Sequence, residues 1–307
     1  MLPREASGRG RVGIVARCRQ NAGECWEWGT LAPPMRADLH THTTASDGKL
    51  SPAALLEKAR AAGVEMLAIT DHDSVAAYAE LPVVADLRIV PGVEFSTLWQ
   101  RVGIHVVGLN VDLASAALAE AIDYQHHARD ERAARIADKL AKRGIPEPLA
   151  GAARFAGNGS IGRPHFAEYL VSIGAVPTIE FAFRKYLDAS RAGNLIETWA
   201  SLPAIVGWIR AAGGTAVIAH PGKYKLTRSR LEQLTSDFVA AGGQAIEVVS
   251  GLQKPELTRD LAMLAARHGL AASVGSDFHQ NGQVWAQLGV VPALPPTATP
   301  VWQLWGL

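Results

Sequence analysis

The residues best placed to do chemistry begin at Asp38-Leu39-His40-Thr41-His42. Two histidines one residue apart on an extended backbone point to the same side, which sets two imidazoles next to each other. Ser46-Asp47-Gly48 follows as a turn able to return the Asp47 carboxylate toward them. A solitary His-x-His is common and by itself is a weak sign of a metal site. Further donors recur down the chain: Thr70-Asp71-His72-Asp73, Pro91-Gly92-Val93-Glu94, His105, Ala219-His220-Pro221 and Gly275-Ser276-Asp277-Phe278-His279.

The elements that must position these groups alternate. Apolar runs predict strands at Ala37–His40, Val64–Thr70, Arg88–Glu94, Val102–Leu109, Thr215–Ala219, Ala245–Val249 and Ala271–Gly275. Helices are expected from Ser51-Pro52 to Gly63 and at Ser74–Leu81, Ser201–Ala212, Leu231–Ala241 and Pro255–His268. Strands mostly separated by helices argue for an α/β parallel barrel, whose strand C-terminal ends converge on one face and build the active site there. Charged groups abutting apolar strands are costly to bury unpaired. Metal coordination removes that cost.

Some of these residues have simpler roles open to them. Asp71 or Asp73 could cap the following helix, the preferred reading for Asp73. His105 lies inside a strand, where a core histidine is an alternative. His126, His127 and His268 fall on charged helical stretches and read as surface residues. The tryptophans read as core or lid packing. The candidate ligands are then His40, His42, Asp47, His72, Glu94, His105, His220, Asp277 and His279, which include six of the ten histidines. With no cysteine among them, a thiolate zinc site is excluded and Mn, Fe, Zn or a mixture is favoured. At about three protein ligands per open catalytic ion, such a set implies a cluster of three metals. Clusters of this kind activate a hydroxide and neutralise a transferring phosphoryl group.

Composition narrows the partners. With 30 basic and 29 acidic residues, the net charge of +1 carries no nucleic-acid or membrane signature. The two cysteines, Cys18 and Cys25, suggest no disulfide framework, so a cytoplasmic protein is expected. No apolar run is long enough to span a bilayer, and the N-terminal residues lack a signal-peptide core. Residues 1–35 are expected to be a poorly ordered N-terminal extension. Met35, immediately before the first good strand, is expected to be the natural start. The barrel should occupy 36–111 and 199–290, a helical insertion 112–198, and a Pro-rich C-terminal tail 291–307. Within the insertion, helices are expected at Leu113–Gly144, Leu149–Phe155, Pro164–Ile173 and Thr178–Leu187.

Taken in order over roughly residues 36–290, these motifs resemble the polymerase and histidinol phosphatase (PHP) family. The resemblance implies a distorted (β/α)7 barrel and a trinuclear metal site, most often manganese, with Fe, Zn or Mg as alternatives. Ala156-Gly157-Asn158, Arg163-Pro164-His165-Phe166-Ala167, Phe183-x-Lys185-Tyr186-Leu187 and Trp199-x-Ser201-Leu202 resemble the subgroup with a helical insertion. That subgroup includes 3′,5′-nucleoside bisphosphate phosphatases and enzymes that trim the 5′ ends of short RNAs. Two departures bear on substrate contacts: Gly193-Asn194-Leu195-Ile196 replaces Gly-x-Tyr-Val, and Ser250-Gly251-Leu252-Gln253 replaces a Gly-Ser-His stretch.

The activity implied is hydrolysis of a phosphomonoester of a small nucleotide, foremost the 3′-phosphate of a nucleoside 3′,5′-bisphosphate, by a metal-bridging hydroxide. Arg163 and His165 would clamp a second phosphate and Lys223 would add a charge. No leaving-group acid is assigned. Rival readings are a 5′→3′ exonuclease on short RNA or DNA, a histidinol-phosphate phosphatase, and a non-catalytic metal-binding module. The absence of a basic groove disfavours long polymers. No membrane and no obligatory protein partner are expected.

Overall fold

The computed structural model describes residues 35–157, 159–187 and 199–307. The N-terminal segment 1–34, Asn158 and Gly193-Asn194-Leu195-Ile196 lie outside the described residues. Among the described residues one sheet holds seven strands in chain order: β1 Ala37–Asp38, β2 Met66–Ile69, β3 Arg88–Trp99, β4 Val102–Leu109, β5 Thr215–Ile218, β6 Ala245–Ser250 and β7 Ala271–Gly275. The Leu39 amide donates to Val274 O (2.9 Å) and Thr41 bridges Phe278 in parallel, so β1 meets β7 and the sheet nearly closes.

The barrel is distorted at one strand. β4 pairs antiparallel with both β3 and β5, whereas the other pairs are parallel. This corrects the all-parallel expectation, and the cause is local. Only Gln100 and Arg101 separate β3 from β4, with φ of 46° and 68°, the left-handed pair of a two-residue hairpin turn. A parallel return would need a crossover of a dozen residues or more. β3 also runs past Glu94 to Trp99, because its upper half is paired by β4.

Helices pack outside. In α1, Pro52–Ala61, the Ser51 side chain caps the Ala54 amide, and Leu55, Leu56 and Ala59 are buried on one face. α6 Leu202–Ala211, α7 Arg228–Ala240 and α8 Pro255–Arg267 cover the later strands. The helix expected at Ser74–Leu81 is only a 3-10 turn, Ala76–Glu80. Between β4 and β5 lie α2 Ala116–Ala141, α3 Pro148–Ala156, α4 Arg163–Ser172 and α5 Ile179–Ala182, the last running into a π-helical turn, Phe183–Leu187. These bury an apolar cluster of their own, centred on Ile136, Leu140, Phe166 and Leu170. Near the C-terminus Val301 is buried and the Trp305 indole donates to Thr215 Oγ1 (3.0 Å). Among the described residues, no helix is long and apolar enough to cross a membrane.

Candidate active site

The donors meet where the sequence places them, at the C-terminal mouth. His40 and His42 stand just past β1, with the Asp277 amide donating to His40 O and the His42 amide to Phe278 O, both at 2.9 Å. Gly275 is required beside them, since a Cβ there would lie 2.2 Å from His40 Cβ. Gly48 is equally constrained: a Cβ would meet His42 O at 2.4 Å, so the loop carrying Asp47 can fold against the histidines.

Glu94, fully buried, is the hub. Its Oε2 lies 3.3 Å from both His40 Nε2 and His42 Nε2 and 3.0 Å from His72 Nδ1. Its Oε1 lies 2.8 Å from His105 Nδ1 and 2.9 Å from His220 Nε2. Asp47 reaches His279 at 3.3 Å and His42 and His72 at 3.8 Å. Asp277 lies 3.4 Å from His42, 3.5 Å from His40 and 3.7 Å from His279. His105 belongs to this mouth because β4 is antiparallel: its N-terminal half lies at the end where the parallel strands finish, with His105 opposite Ser96.

Electrostatics show what this packing demands. Burial alone would raise the Glu94 carboxyl, but His105, His40 and His72 hold it well below the usual carboxylate range. Asp47 and Asp277 are likewise depressed against burial, by His279 and His72 and by Lys223 and His40 respectively. In return, burial is overcome at His40 by Glu247, Glu94 and Asp277, and at His42 by Asp277 and Glu94, which lift His42 to about 10. Burial prevails at His72 and His220, which are pushed down. Without metal, protons on His40 and His42 serve as the countercharge.

The donor set fits divalent metals. His40 Nε2, His42 Nε2, Asp47 Oδ1, His72 Nδ1, Glu94 Oε2 and His220 Nδ1 are buried without a hydrogen-bond partner, a cost that native structures rarely leave standing. Three overlapping groups have ligand atoms within 4.8 Å of one another: His42, Asp47, His72 and His279; His40, His42 and Glu94; and His72, Glu94 and His105. His220 and Asp277 adjoin them through Glu94 and His40. Nitrogen and oxygen donors without sulfur suit Mn, Fe or Zn.

Behind the donors stands a layer that the motif reading passed over. Glu247, in β6, accepts from His40 Nδ1 at 2.6 Å and from the His220 amide. It therefore leaves His40 Nε2 facing the site and steadies His220, whose φ of 28° is strained. A carboxylate inside the apolar run Ala245-Ile246-Glu247-Val248-Val249 was the available signal. Asp71 accepts from the Thr43 amide (2.7 Å), Thr43 Oγ1 (2.6 Å) and Ser46 Oγ (2.5 Å), tying down the Asp47 loop. Asp73 accepts from Arg129 Nε (2.5 Å), Gln125 Nε2 (3.0 Å) and the Ser96 amide (3.2 Å). Neither aspartate caps the 3-10 turn, which corrects that expectation. Asp73 instead pins α2 to the barrel, and Gln125 Oε1 accepts the Ala200 amide (3.2 Å) where the chain returns.

The insertion reaches the same mouth. Lys49 pairs with Glu168 at 2.6 Å, and a Cβ on Gly159 would stand 3.0 Å from Ser46 O. Arg163 opens α4 with its guanidinium 5.8 Å from the Phe183 ring centre. His165 is buried, and its Nδ1 accepts the Gly162 amide (3.0 Å). Burial lowers its pKa while Asp47 pulls it up, which puts it within electrostatic reach of the metal-ligand candidates. Lys223 is half-exposed and ion-paired with Asp277. Of the other histidines, His127 is exposed and His268 pairs with Glu232 at 2.7 Å.

Comparison with known proteins now sharpens this picture. Residues 38–152 match the PHP domain. The chain is 44% identical to a 3′,5′-nucleoside bisphosphate phosphatase of Chromobacterium violaceum, over 87% of this chain and 95% of the relative. It is 42% identical to the 5′-3′ exoribonuclease Rnm of Escherichia coli, over 87% and 93%. A C. violaceum structure described as an amidohydrolase with bound sulfate and no metal superposes with a TM-score of 0.80 at 42% identity, covering 88% of this chain and 95% of that one. A Bifidobacterium adolescentis structure assigned as a metal-dependent phosphoesterase gives 0.71 at 26%, covering 88% and 94%. The chain belongs to the PHP family of metal-dependent phosphoesterases and is a hydrolase acting on phosphoester bonds. The 44% and 42% relatives differ in substrate, so similarity alone does not choose between a nucleotide and a strand.

Proposed function

We propose that this chain removes the 3′-phosphate from a nucleoside 3′,5′-bisphosphate, using three divalent metals, foremost manganese. His40, His42, Asp47, His72, Glu94, His105, His220, Asp277 and His279 would hold them. Bound metals would supply a water acidic enough to attack phosphorus near neutral pH and would offset the phosphoryl charge. The observation that carries the reading is a group of cations where the insertion meets the barrel: Arg129 bound to Asp73, next in sequence to His72, with Arg132 close to both Arg129 and Arg163.

The residues of the chain divide the work. Glu247 and Asp71 orient the donors. The Arg163 guanidinium offers paired N–H donors to a second phosphate, the task its planar fork suits. His165, buried and held by the Gly162 amide, would shape the same pocket. Lys223, drawn to Asp277, would lend its charge to the phosphate at the metals. The insertion, which meets the Asp47 loop at Lys49–Glu168, would partly cover the mouth.

A second reading, 5′→3′ removal of nucleotides from a short strand, is supported by the near-equal likeness to the Rnm relative. The same clamp would then take the strand's 5′-phosphate. Mn-loaded protein should be assayed on adenosine 3′,5′-bisphosphate, a 5′-phosphorylated oligonucleotide and histidinol phosphate. The bisphosphate is expected to turn over fastest; faster turnover of the oligonucleotide would reverse the two readings, and turnover of none would remove both. Metal content well below two ions per chain after loading would rule out the cluster.

A further inference from the structure

β4 and β5 carry the two histidines that share one oxygen of Glu94: His105 Nδ1 lies 2.8 Å and His220 Nε2 2.9 Å from its Oε1. The ladder between these strands stops just short of them, at Val106 opposite Ile218. The next pair along is His105 with Ala219, and in an antiparallel ladder two such residues exchange both of their N–H···O bonds directly. One exchange is direct: the Ala219 amide donates to His105 O at 3.2 Å. The other runs through a side chain. The His105 amide donates to the Tyr224 hydroxyl (2.9 Å), and that hydroxyl donates to Ala219 O (2.6 Å). On the β3 side, Ser96 stands opposite His105 but engages Asp73 through its amide and Gln125 through its carbonyl.

The chain turns sharply at His220, where φ is 28°, and Tyr224 ends the 3-10 turn Pro221–Tyr224 that follows at once. The Lys223 amide donates to His220 O (2.9 Å), which folds this turn back over the strand ends. The phenol ring then stands edge-on to the His220 imidazole, 5.5 Å between centres and 70° between planes. The His105 and His220 rings are themselves 5.2 Å apart at 72°. An oxygen with a hydrogen bond on each side spans more than a single direct bond, so the hydroxyl holds the two backbones apart. Its proton is committed to Ala219 O, which makes it a spacer and not an acid. We propose that Tyr224 is a positioning residue, a hydroxyl spacer between β4 and β5 that sets the separation of His105 and His220 and the shape of the metal site on their side of Glu94. The consequence for metal rests on the ligand reading above, but the spacing itself can be measured without metal.

Tyr224→Phe keeps the ring and deletes the spacer. In metal-free protein held at one pH, the imidazole 15N signals of His105 and His220 should move while those of His279 stay in place. Manganese titrated into the variant by calorimetry should bind about tenfold or more weakly at one or more sites, the scale expected of a group that orients metal-binding histidines. On adenosine 3′,5′-bisphosphate the loss should fall on kcat and leave KM nearly unchanged. Tyr169→Phe is the matched control. It also removes a tyrosine hydroxyl bond, to Pro146 O (2.6 Å) inside the insertion, where it touches none of the donors. It should leave the manganese affinity and both imidazole signals as they are. If the His105 and His220 signals of Tyr224→Phe do not move, or its manganese affinity equals that of the unaltered protein, the proposal is overturned. If Tyr169→Phe weakens manganese binding as much, the loss reports a general loosening of the fold and the proposal falls with it. Should the unaltered protein take up no manganese, the ligand reading would fall by itself, and the imidazole signals would still decide the spacer.

Discussion

The barrel mouth and the insertion handle charge in opposite ways. At the mouth, opposite charges interlock: Glu94 alone contacts five histidines, and carboxylates behind it fix His40 and the Asp47 loop. On the insertion, cations rest on aromatic faces, Arg132 on Trp199 and Arg163 on Phe183, while the buried Asp73–Arg129 pair and the Gln125 amide secure α2. The mouth is over-determined, so one change there should disturb many partners. The insertion's cations lie against aromatic rings, so the two regions carry their charge on separable supports.

The largest expected effect comes from breaking the hub. Glu94→Gln should lower kcat by about 10³-fold or more, because it removes the central charge of a preorganised polar site, and metal analysis should show reduced occupancy. Full activity and full loading would contradict the role given to Glu94. Next is the clasp between the regions. Asp73→Ala strands the buried Arg129 charge and should destabilise the fold by about 3–5 kcal/mol, as breaking a buried pair does. A denaturant midpoint that barely moved would mean α2 is anchored by apolar contacts alone.

Glu247→Gln tests support at the mouth without removing a ligand candidate. A loss of about 10–100-fold in Mn affinity, read by titration calorimetry, is expected of a group that orients a metal-binding histidine. Arg163→Ala should then act on substrate choice. It should cost about thirtyfold in kcat/KM on a bisphosphate, within the range for a charged hydrogen bond, and little on a simple monophosphate. Equal losses on both would remove the clamp.

The last test is of pH dependence. In metal-free protein His42 keeps its proton to about 10, against about 6.5 unfolded. Its stabilising contribution is complete below about pH 6.5 and fades as pH rises through 10. Glu94, Asp47 and Asp277 act at the other end. Their depressed pKa values give stability present above the ordinary carboxylate range and lost in acid. Urea midpoints in EDTA should therefore fall between pH 6.5 and 9.5, and Mn should flatten the decline by replacing the protons.

Much of the mouth was legible because its motifs are local. His40-x-His42, Gly275-x-Asp277 and the apolar runs before them announce both donor and strand end within a few residues. The Glu247 contact with His40 spans 207 positions and the Asp73 contact with Arg129 spans 56, so no local pattern could reveal them. The antiparallel β4 could have been foreseen, since the expected strands at Arg88–Glu94 and Val102–Leu109 leave no room for a crossover helix.

By itself, the amino-acid sequence determined the candidate donor types, their order along the chain and the alternation of strand and helix, because residue chemistry and hydrophobic period are local properties. Only the tertiary structure decided that Glu94 stands at the centre, that Asp73 is a clasp and not a cap, and that Glu247 stands behind His40. Those outcomes depend on which distant surfaces meet, and on the charge each must face once water has been excluded.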